Sequence, residues 1–550
     1  MNPDRLLRAA AALAVLGMAA CNPRPATAPE PARGLGVPPV PRVEGPLAIR
    51  VVHPTAADPL PRVDSTFVFG SVGSGGATLT INGTPVQVAP NGAFLAFVAV
   101  PPNGAFDLVA QRGSETARVM ASFKPAPPAP SAPAVPAPAD TGAAEPSQPA
   151  AAVTPRPAVP PRPMFPQPLA ATISGRFVSD TLATGSDVAP AFPAATTDLD
   201  RKWLLPRGTR AVAVSRLGHM VELRLDAATS AWVSDTLVTL GDPAPAQPMT
   251  AGAVSIRPSS RWVDVRVPVS GAPFLVSTDG ATASVTLYGV AGGGTPNVSG
   301  DAMLRGASWG TDAQGDTRLD VQLAQPVWGY KVFYEADGTL VLRLRRPPRI
   351  DANQPLRGIR LVLDPGHPPG GAIGPTALTE AEANLALALR LADKLRARGA
   401  EVIMTRTTGQ TLVSSTNSTA ELGARVTLAV RNDADILLSV HNNAFAEGTN
   451  PFTNHGTSTL YFHPQSLDLA RALDREIVGV TRIPDLGAKF QNIALGRPTW
   501  MPAVLTESLF MMFPDQENAL RDPEFLDRLA DAHVRGLESF LRDRATSTQQ

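Results

Sequence analysis

Two tracts of proline and alanine, residues 22–46 and 125–169, divide the chain into stretches that must each find a core. Such tracts cannot bury apolar surface and favour extended polyproline II backbone. At 550 residues the chain also exceeds what one core supports, so about three folded units plus linkers are expected. The first tract reads as a tether. The second, at ~3.1 Å per residue, spans on the order of 100 Å when fully extended and reads as a spacer. With 48 lysines and arginines against 48 aspartates and glutamates, no net charge calls for nucleic acid or an anionic membrane as partner.

Arg5 and Arg8 precede an apolar run over residues 9–20 that ends at the only cysteine, Cys21. The run is too short for a membrane span. Closed by Met18-Ala19-Ala20-Cys21, residues 1–21 resemble a bacterial lipoprotein signal, which implies a lipid anchor at Cys21 in a membrane. Asn22 after the cysteine is compatible with sorting to an outer membrane, hence a periplasm-facing lipoprotein of the cell envelope. The alternative is an ordinary secretory signal. An intrachain disulfide is excluded by the single cysteine.

Residues 47–124 alternate apolar with polar or small residues, with Asn82-Gly83 and Asn91-Gly92 as hairpin signals. They read as an antiparallel β-sandwich similar to immunoglobulin-like modules. Residues 170–348 are again β-rich, first with short alternating runs similar to SH3-like modules, then with a repeat. Val263 to Val267, Phe274 to Val276 and Val285 to Leu287 are echoed by Leu319 to Leu323, Tyr330 to Val332 and Val341 to Leu344. Two such units predict one compact β-domain or a pair, and the second copy resembles the AMIN modules that precede cell-wall amidases. His53 and His219 have no partner cluster in sequence and read as surface residues.

After residue 359 strands alternate with helices, which predicts a C-terminal α/β domain over residues 355–545 with a mostly parallel sheet. A strand ends in Leu363-Asp364-Pro365-Gly366-His367, and another in Ser439-Val440-His441-Asn442-Asn443. Ligands of open α/β sheets lie beyond such carboxyl ends. Between them, Thr379 and Glu382 form a capping box for a helix over residues 380–398, with an apolar stripe at Leu385, Ala388, Leu389, Ala392 and Leu395 and a stop at Gly399. Glu380 falls on the first turn, where a helix dipole alone would also favour it. Two histidines and a carboxylate converging on one sheet edge make a three-ligand zinc set with a fourth position for water. A third apolar run ends in Glu507, the candidate general base for a metal-bound water. His455 and His463 read as solvated loop residues, Arg425 as a structural ion-pair residue, and Glu382 as spent in the capping box.

These motifs, in this order, resemble the zinc N-acetylmuramoyl-L-alanine amidases of the amidase_3 family. Leu363 to His367, Gly371-Ala372-Ile373-Gly374 with Glu380 and Asn384-Leu385, Val402 to Arg406, Arg425, Ser439 to Ala444, Gly456-Thr457 and Met501 to Glu507 carry the likeness. It covers about a third of the chain and implies that His367, Glu380 and His441 bind one Zn2+ and that Glu507 is catalytic. The implied substrate is peptidoglycan, cut between N-acetylmuramic acid and the L-alanine of the stem peptide, with envelope proteins as candidate partners of the β-rich units. An inactive peptidoglycan-binding lipoprotein and a zinc peptidase acting on the stem peptide are the alternatives. The sequence departs from the family at Pro368-Pro369, where glycines are usual, and at Ser508, where Glu507 is usually followed by glycine. Residues 445–455 also leave no room for the long autoinhibitory helix that some Gram-negative members place there.

Overall fold

The computed structural model describes residues 35–55, 59–60, 63–125, 164–174, 188–196, 202–243, 249–413 and 417–547. Cys21 with its leader, and much of both proline tracts, lie outside the described residues. No described helix is long and apolar enough to cross a membrane.

Seven strands build the N-terminal sandwich: β1 (Arg50–His53), β2 (Ser65–Ser71), β3 (Thr78–Ile81), β4 (Thr84–Val86), β5 (Ala93–Ala99), β6 (Ala105–Arg112) and β7 (Glu115–Ser122). A three-stranded sheet, β1-β2-β5, faces a four-stranded one, β4-β3-β6-β7, across a core that includes Val68, Leu79, Ile81, Phe94, Phe106 and Leu108. Asn82 and Gly83, both at positive φ, make the two-residue β3–β4 turn. Asn91-Gly92 sits instead in the connection from β4 to β5, which belong to different sheets.

Both proline tracts are shorter than their composition implies. Gly36 donates to the Val480 carbonyl, Val43 to Pro90 and Gly45 to Gly73, so the end of the expected tether is laid along the folded unit. The strand Met164–Ile173 begins inside the expected linker and pairs with Arg210–Leu217 and Val238–Pro243. Prolines are tolerated at such strand ends because the missing N–H need not pair. Residues 36–550 form one compact unit.

The middle of the chain holds a five-stranded antiparallel sheet and then the sequence repeat. The two copies exchange strands: Trp262–Pro268 pairs with Thr339–Arg345, and Thr282–Leu287 pairs with Thr317–Leu323. Two four-stranded sheets result, sharing one core of Val263, Val265, Leu319, Val321, Leu342 and their neighbours. Neither copy can complete a sheet alone, which is why the repeat is one sandwich. It grips the C-terminal domain through Arg345, whose buried guanidinium donates to the carbonyls of Ala434 and Trp500 and pairs with Asp435 at 2.8 Å. Burial pushes Arg345 down to about 10, against the pull of Asp435.

The C-terminal domain contains β8 (Arg360–Pro365), α1 (Glu380–Ala397), β9 (Glu401–Met404), α2 (Ser418–Arg431), β10 (Ile436–Asn443), β11 (Thr457–Tyr461), α3 (Leu467–Thr481), β12 (Asp485–Phe490), β13 (Ala503–Phe510), α4 (Pro514–Ala519) and α5 (Pro523–Ser547). Its sheet runs β9-β8-β10-β13-β11-β12 and is mixed: β11 is antiparallel to β13, and the other four pairings are parallel. β8 is buried on both faces, Leu361 and Leu363 against α1, α3 and α5, and Val362 against α2. The capping box on α1 forms as expected, and Gly399 follows its end at φ +84°. The stripe is rotated from the expected one: Ala383, Leu387, Ala388, Leu391, Ala392 and Leu395 are buried, while Leu389 is exposed. Leucines recur at 385, 387, 389 and 391, so periodicity left the buried face ambiguous and packing decided it.

One polar network sits where β8 meets its loop. Asp364 is fully buried and accepts from Thr405 Oγ1 at 2.6 Å, Ser439 Oγ at 2.6 Å and Arg425 at 3.2 Å. Arg425, also buried, bonds Glu421 at 3.0 Å and the carbonyls of Pro365, His367 and Pro368. A buried pair broken on one side leaves an uncompensated charge. Arg425→Leu is therefore expected to cost about 3–5 kcal/mol. Lys394→Ala, at a partly exposed pair with Asp531, should cost about 0–1 kcal/mol. Urea midpoints of the full chain measure both, and equal shifts would refute this ranking.

Candidate functional site

His367, Glu380 and His441 come together at the carboxyl edge of the sheet, their ligating atoms all within 4.8 Å of one another. The geometry follows from the local sequence. β8 delivers His367 in a left-handed backbone conformation, φ 57°, at the second position of its loop. β10 delivers His441 one strand over. The capping box starts α1 so that Glu380, 4% exposed, reaches between the two rings. Glu380 Oε2 lies 3.2 Å from His367 Nε2 and Oε1 lies 2.9 Å from His441 Nδ1. The rings stand edge to face, 5.0 Å between centroids. Gly366 is required here: a Cβ at this position would lie 2.2 Å from the His441 ring.

A second layer holds these side chains. His367 Nδ1 is 3.0 Å from the Pro369 carbonyl, which can only accept, so Nδ1 carries a proton and Nε2 is the nitrogen turned towards Glu380. Glu380 accepts from the backbone N–H of Ala372 and Asn442 and from Asn384 Nδ2. Asn384 also donates to the Gly366 carbonyl and accepts from Asn442 Nδ2. Arg406 donates to the carbonyls of Pro365, Gly366 and Ala381. The buried Glu517 accepts from Thr376 and Leu378 and closes the loop that enters α1.

Glu507 lies on β13 directly opposite His441 on β10, and parallel partners present their side chains to the same face. Its Oε2 is buried without a hydrogen-bond partner among the described residues. The two carboxylates are driven apart. Burial raises Glu380, but hydrogen bonds from His367 and His441 outweigh it and hold the group well below the ordinary carboxylate range. Burial, with the charge of Glu380 added, raises Glu507 well above 4.5. Two imidazoles and a carboxylate suit a borderline-soft divalent cation, and a partnerless carboxylate beside them suits proton exchange.

The other sequence candidates fall elsewhere. Glu382 is spent on the Thr379 backbone and hydroxyl, and Arg425 is the loop clamp already described. His455 is not a solvated loop residue: its ring packs 4.4 Å from Phe513. His463 is also enclosed, its Nε2 2.7 Å from the Arg497 carbonyl, with burial pushing it down to about 4. His53 is no free surface residue either, since its Nε2 lies 2.7 Å from Glu447. His219 is exposed. The supporting roles of Asn384, Asn442, Arg406 and Glu517 go beyond the sequence expectations. Asn384 is four residues from Glu380 on one helical face, a readable signal. Glu517 bonds partners about 140 residues away, and nothing local betrays it.

Residues 361–539 match the family model described as N-acetylmuramoyl-L-alanine amidase. The N-acetylmuramoyl-L-alanine amidase LytC of Bacillus subtilis (strain 168) is 30% identical over 196 residues, 35% of this chain and 38% of that protein. The germination-specific N-acetylmuramoyl-L-alanine amidase of the same organism is 28% identical over 34% of this chain and 83% of its own length. An uncharacterized protein of that organism, YqiI, is 29% identical over 36% of this chain and 93% of its length. The matched stretch thus spans nearly all of one relative and little more than a third of another. The crystal structure of N-acetylmuramoyl-L-alanine amidase from Clostridium difficile 630 is 30% identical, covering 34% of this chain and 97% of that one, with a TM-score of 0.30. Residues 361–539 of this chain are thus similar to N-acetylmuramoyl-L-alanine amidases.

Proposed function

We propose that the chain is a peptidoglycan hydrolase that cuts the amide between N-acetylmuramic acid and the L-alanine of the stem peptide. The observation that carries this reading is the placement of Glu507 opposite His441, beside a trio of donors within 4.8 Å of one another. His367, Glu380 and His441 would hold one Zn2+. The two-nitrogen, one-oxygen donor set and the glycine that lets the rings meet both fit that ion. Zinc, when bound there, acidifies water and polarises the scissile carbonyl.

The chain's own groups supply the rest. The Pro369 carbonyl fixes the tautomer of His367, so Nε2 is the ligating atom. Asn384, Asn442 and the Ala372 N–H hold Glu380 ionised and oriented. Glu507 takes the proton of the attacking water and passes it to the alanine nitrogen as the C–N bond breaks. Its raised affinity for a proton serves both transfers. The leader ending at Cys21 supports an envelope location with a lipid anchor, within reach of this substrate. The two β-rich units read as placement modules for the envelope.

Glu507→Gln is expected to lower kcat for release of free stem peptide from sacculi by about 10²–10⁴-fold while zinc content stays at one per chain. His441→Ala should lose the zinc as well, measured by metal analysis. If the Glu507→Gln protein releases stem peptide at the wild-type rate, the hydrolase mechanism is wrong. Mass analysis of the products separates the muramoyl amide from cleavage between amino acids. The pH dependence has a definite sign: Glu507 works as a base only when ionised, so activity falls as pH drops through its pKa. Burial places that acid limb of kcat/KM above the usual 4.5, and a limb at or below that value would contradict the assignment.

A further inference from the structure

The face of the N-terminal sandwich that its own core leaves unused is covered. Along β2, Val68 enters the core while Phe67 and Phe69 point outward; along β5, Phe94 and Ala96 enter it while Leu95 and Phe97 point outward. The outward side chains pack with Phe445, Phe510, Met512 and Phe513 of the C-terminal domain in one apolar cluster. Phe510 ends β13, three residues past Glu507, and Phe445 stands four residues past His441. The sandwich therefore docks at the same edge of the sheet as the site.

Between β10 and β11, residues 444–456 form neither helix nor strand. A loop of this length next to a site is usually a binding element. Its fixings come from two sources. The Phe445 ring stacks on Phe510 at 4.6 Å, and His455 packs on Phe513. The remaining anchors belong to the sandwich: Glu447 pairs with His53 at 2.7 Å and accepts from the Thr66 hydroxyl. The His53 ring in turn lies on Phe67 and Phe69, at 5.1 and 5.4 Å. Gly448, at φ +84°, approaches so closely that a Cβ would lie 2.8 Å from Val63 Cγ1. The half of the loop nearest His441 is thus held largely by a unit more than 350 residues away in sequence.

We propose that the N-terminal sandwich is a positioning element of the hydrolytic site, holding residues 444–448 in the shape that receives the glycan-peptide substrate. This rests on the peptidoglycan hydrolase reading. His53, Thr66 and Glu447 act through the loop and touch no reacting atom, so a change in them should alter substrate binding more than chemistry.

The test compares full-length wild type with Glu447→Gln, with the double variant Phe67→Ala/Phe69→Ala, and with Glu507→Gln. Hydrogen exchange follows the amides of residues 444–455, and steady-state kinetics on soluble peptidoglycan fragments gives kcat and KM. The first two variants should speed exchange in the loop and raise KM about tenfold, with kcat held within about twofold. Glu507→Gln should lower kcat and leave loop exchange unchanged. Loop protection that survives in both Glu447→Gln and Phe67→Ala/Phe69→Ala overturns the proposal, as does protection lost with KM at the wild-type value. Glu447→Gln keeps the aromatic face intact and so decides the matter even where the double variant fails to fold. A wild-type protein that releases no stem peptide overturns the hydrolase reading itself, and this proposal with it.

Discussion

A fully buried carboxylate at the end of β8 organises the C-terminal domain. Asp364 is costly to bury without donors, and its donors come from Thr405 after β9, Ser439 in β10 and Arg425 in α2. Satisfying it fixes the level of three adjacent strands and one helix at the point where the chain turns towards His367. Arg425 then spends its remaining nitrogens on the carbonyls of Pro365, His367 and Pro368. A charge inside the sheet thereby becomes a constraint on the loop that carries His367. The clamp reads carbonyl oxygens only, which explains why Pro368-Pro369 is compatible with it. Proline removes an N–H that this loop does not use here and keeps the acceptor that it does.

The sheet has two ends, and a different β-unit covers each. At the amino edge, Arg345 and the backbone of Tyr330 bind residues that precede β10 and β13. At the carboxyl edge, Phe67 and Phe69 meet residues that follow His441 and Glu507. A strand that passes through the site is thus pinned on both sides of it. Pinning of this kind favours a site whose donors must stay within fractions of an ångström of productive geometry.

What the sequence disclosed and what it hid divide along physical lines. Strand ends, the capping box and the residues after them were legible because each depends on a few neighbouring positions: Thr379 and Glu382 cap α1 wherever α1 packs. The trio itself required only that three such ends meet at one edge. The docking of the sandwich was illegible, since Phe67 and Phe69 differ in no way from core residues until a second surface covers them. His53 shows the same limit from the other side. Its partner Glu447 is nearly 400 residues away, and its type and neighbours read as surface. The rotated stripe of α1 is an ambiguity of the pattern itself, because leucines at alternate positions offer a helix two apolar faces.

Electrostatics then distinguishes two glutamates that sequence position alone cannot. Glu380 and Glu507 are both taken out of water, which by itself would protonate both. Glu380 escapes because two imidazoles and two backbone N–H groups donate to it, so it remains an anion able to hold a cation between the rings. Glu507 receives no such donors at Oε2 and feels the charge of Glu380, so its proton is held more tightly. Pairs of carboxylates whose surroundings push them apart are how one fold obtains both a permanent anion and a proton carrier. Here the separation arises from hydrogen-bond donors that the loop after β8, the helix α1 and the end of β10 deliver to Glu380, set against the burial of Glu507 beside that charge.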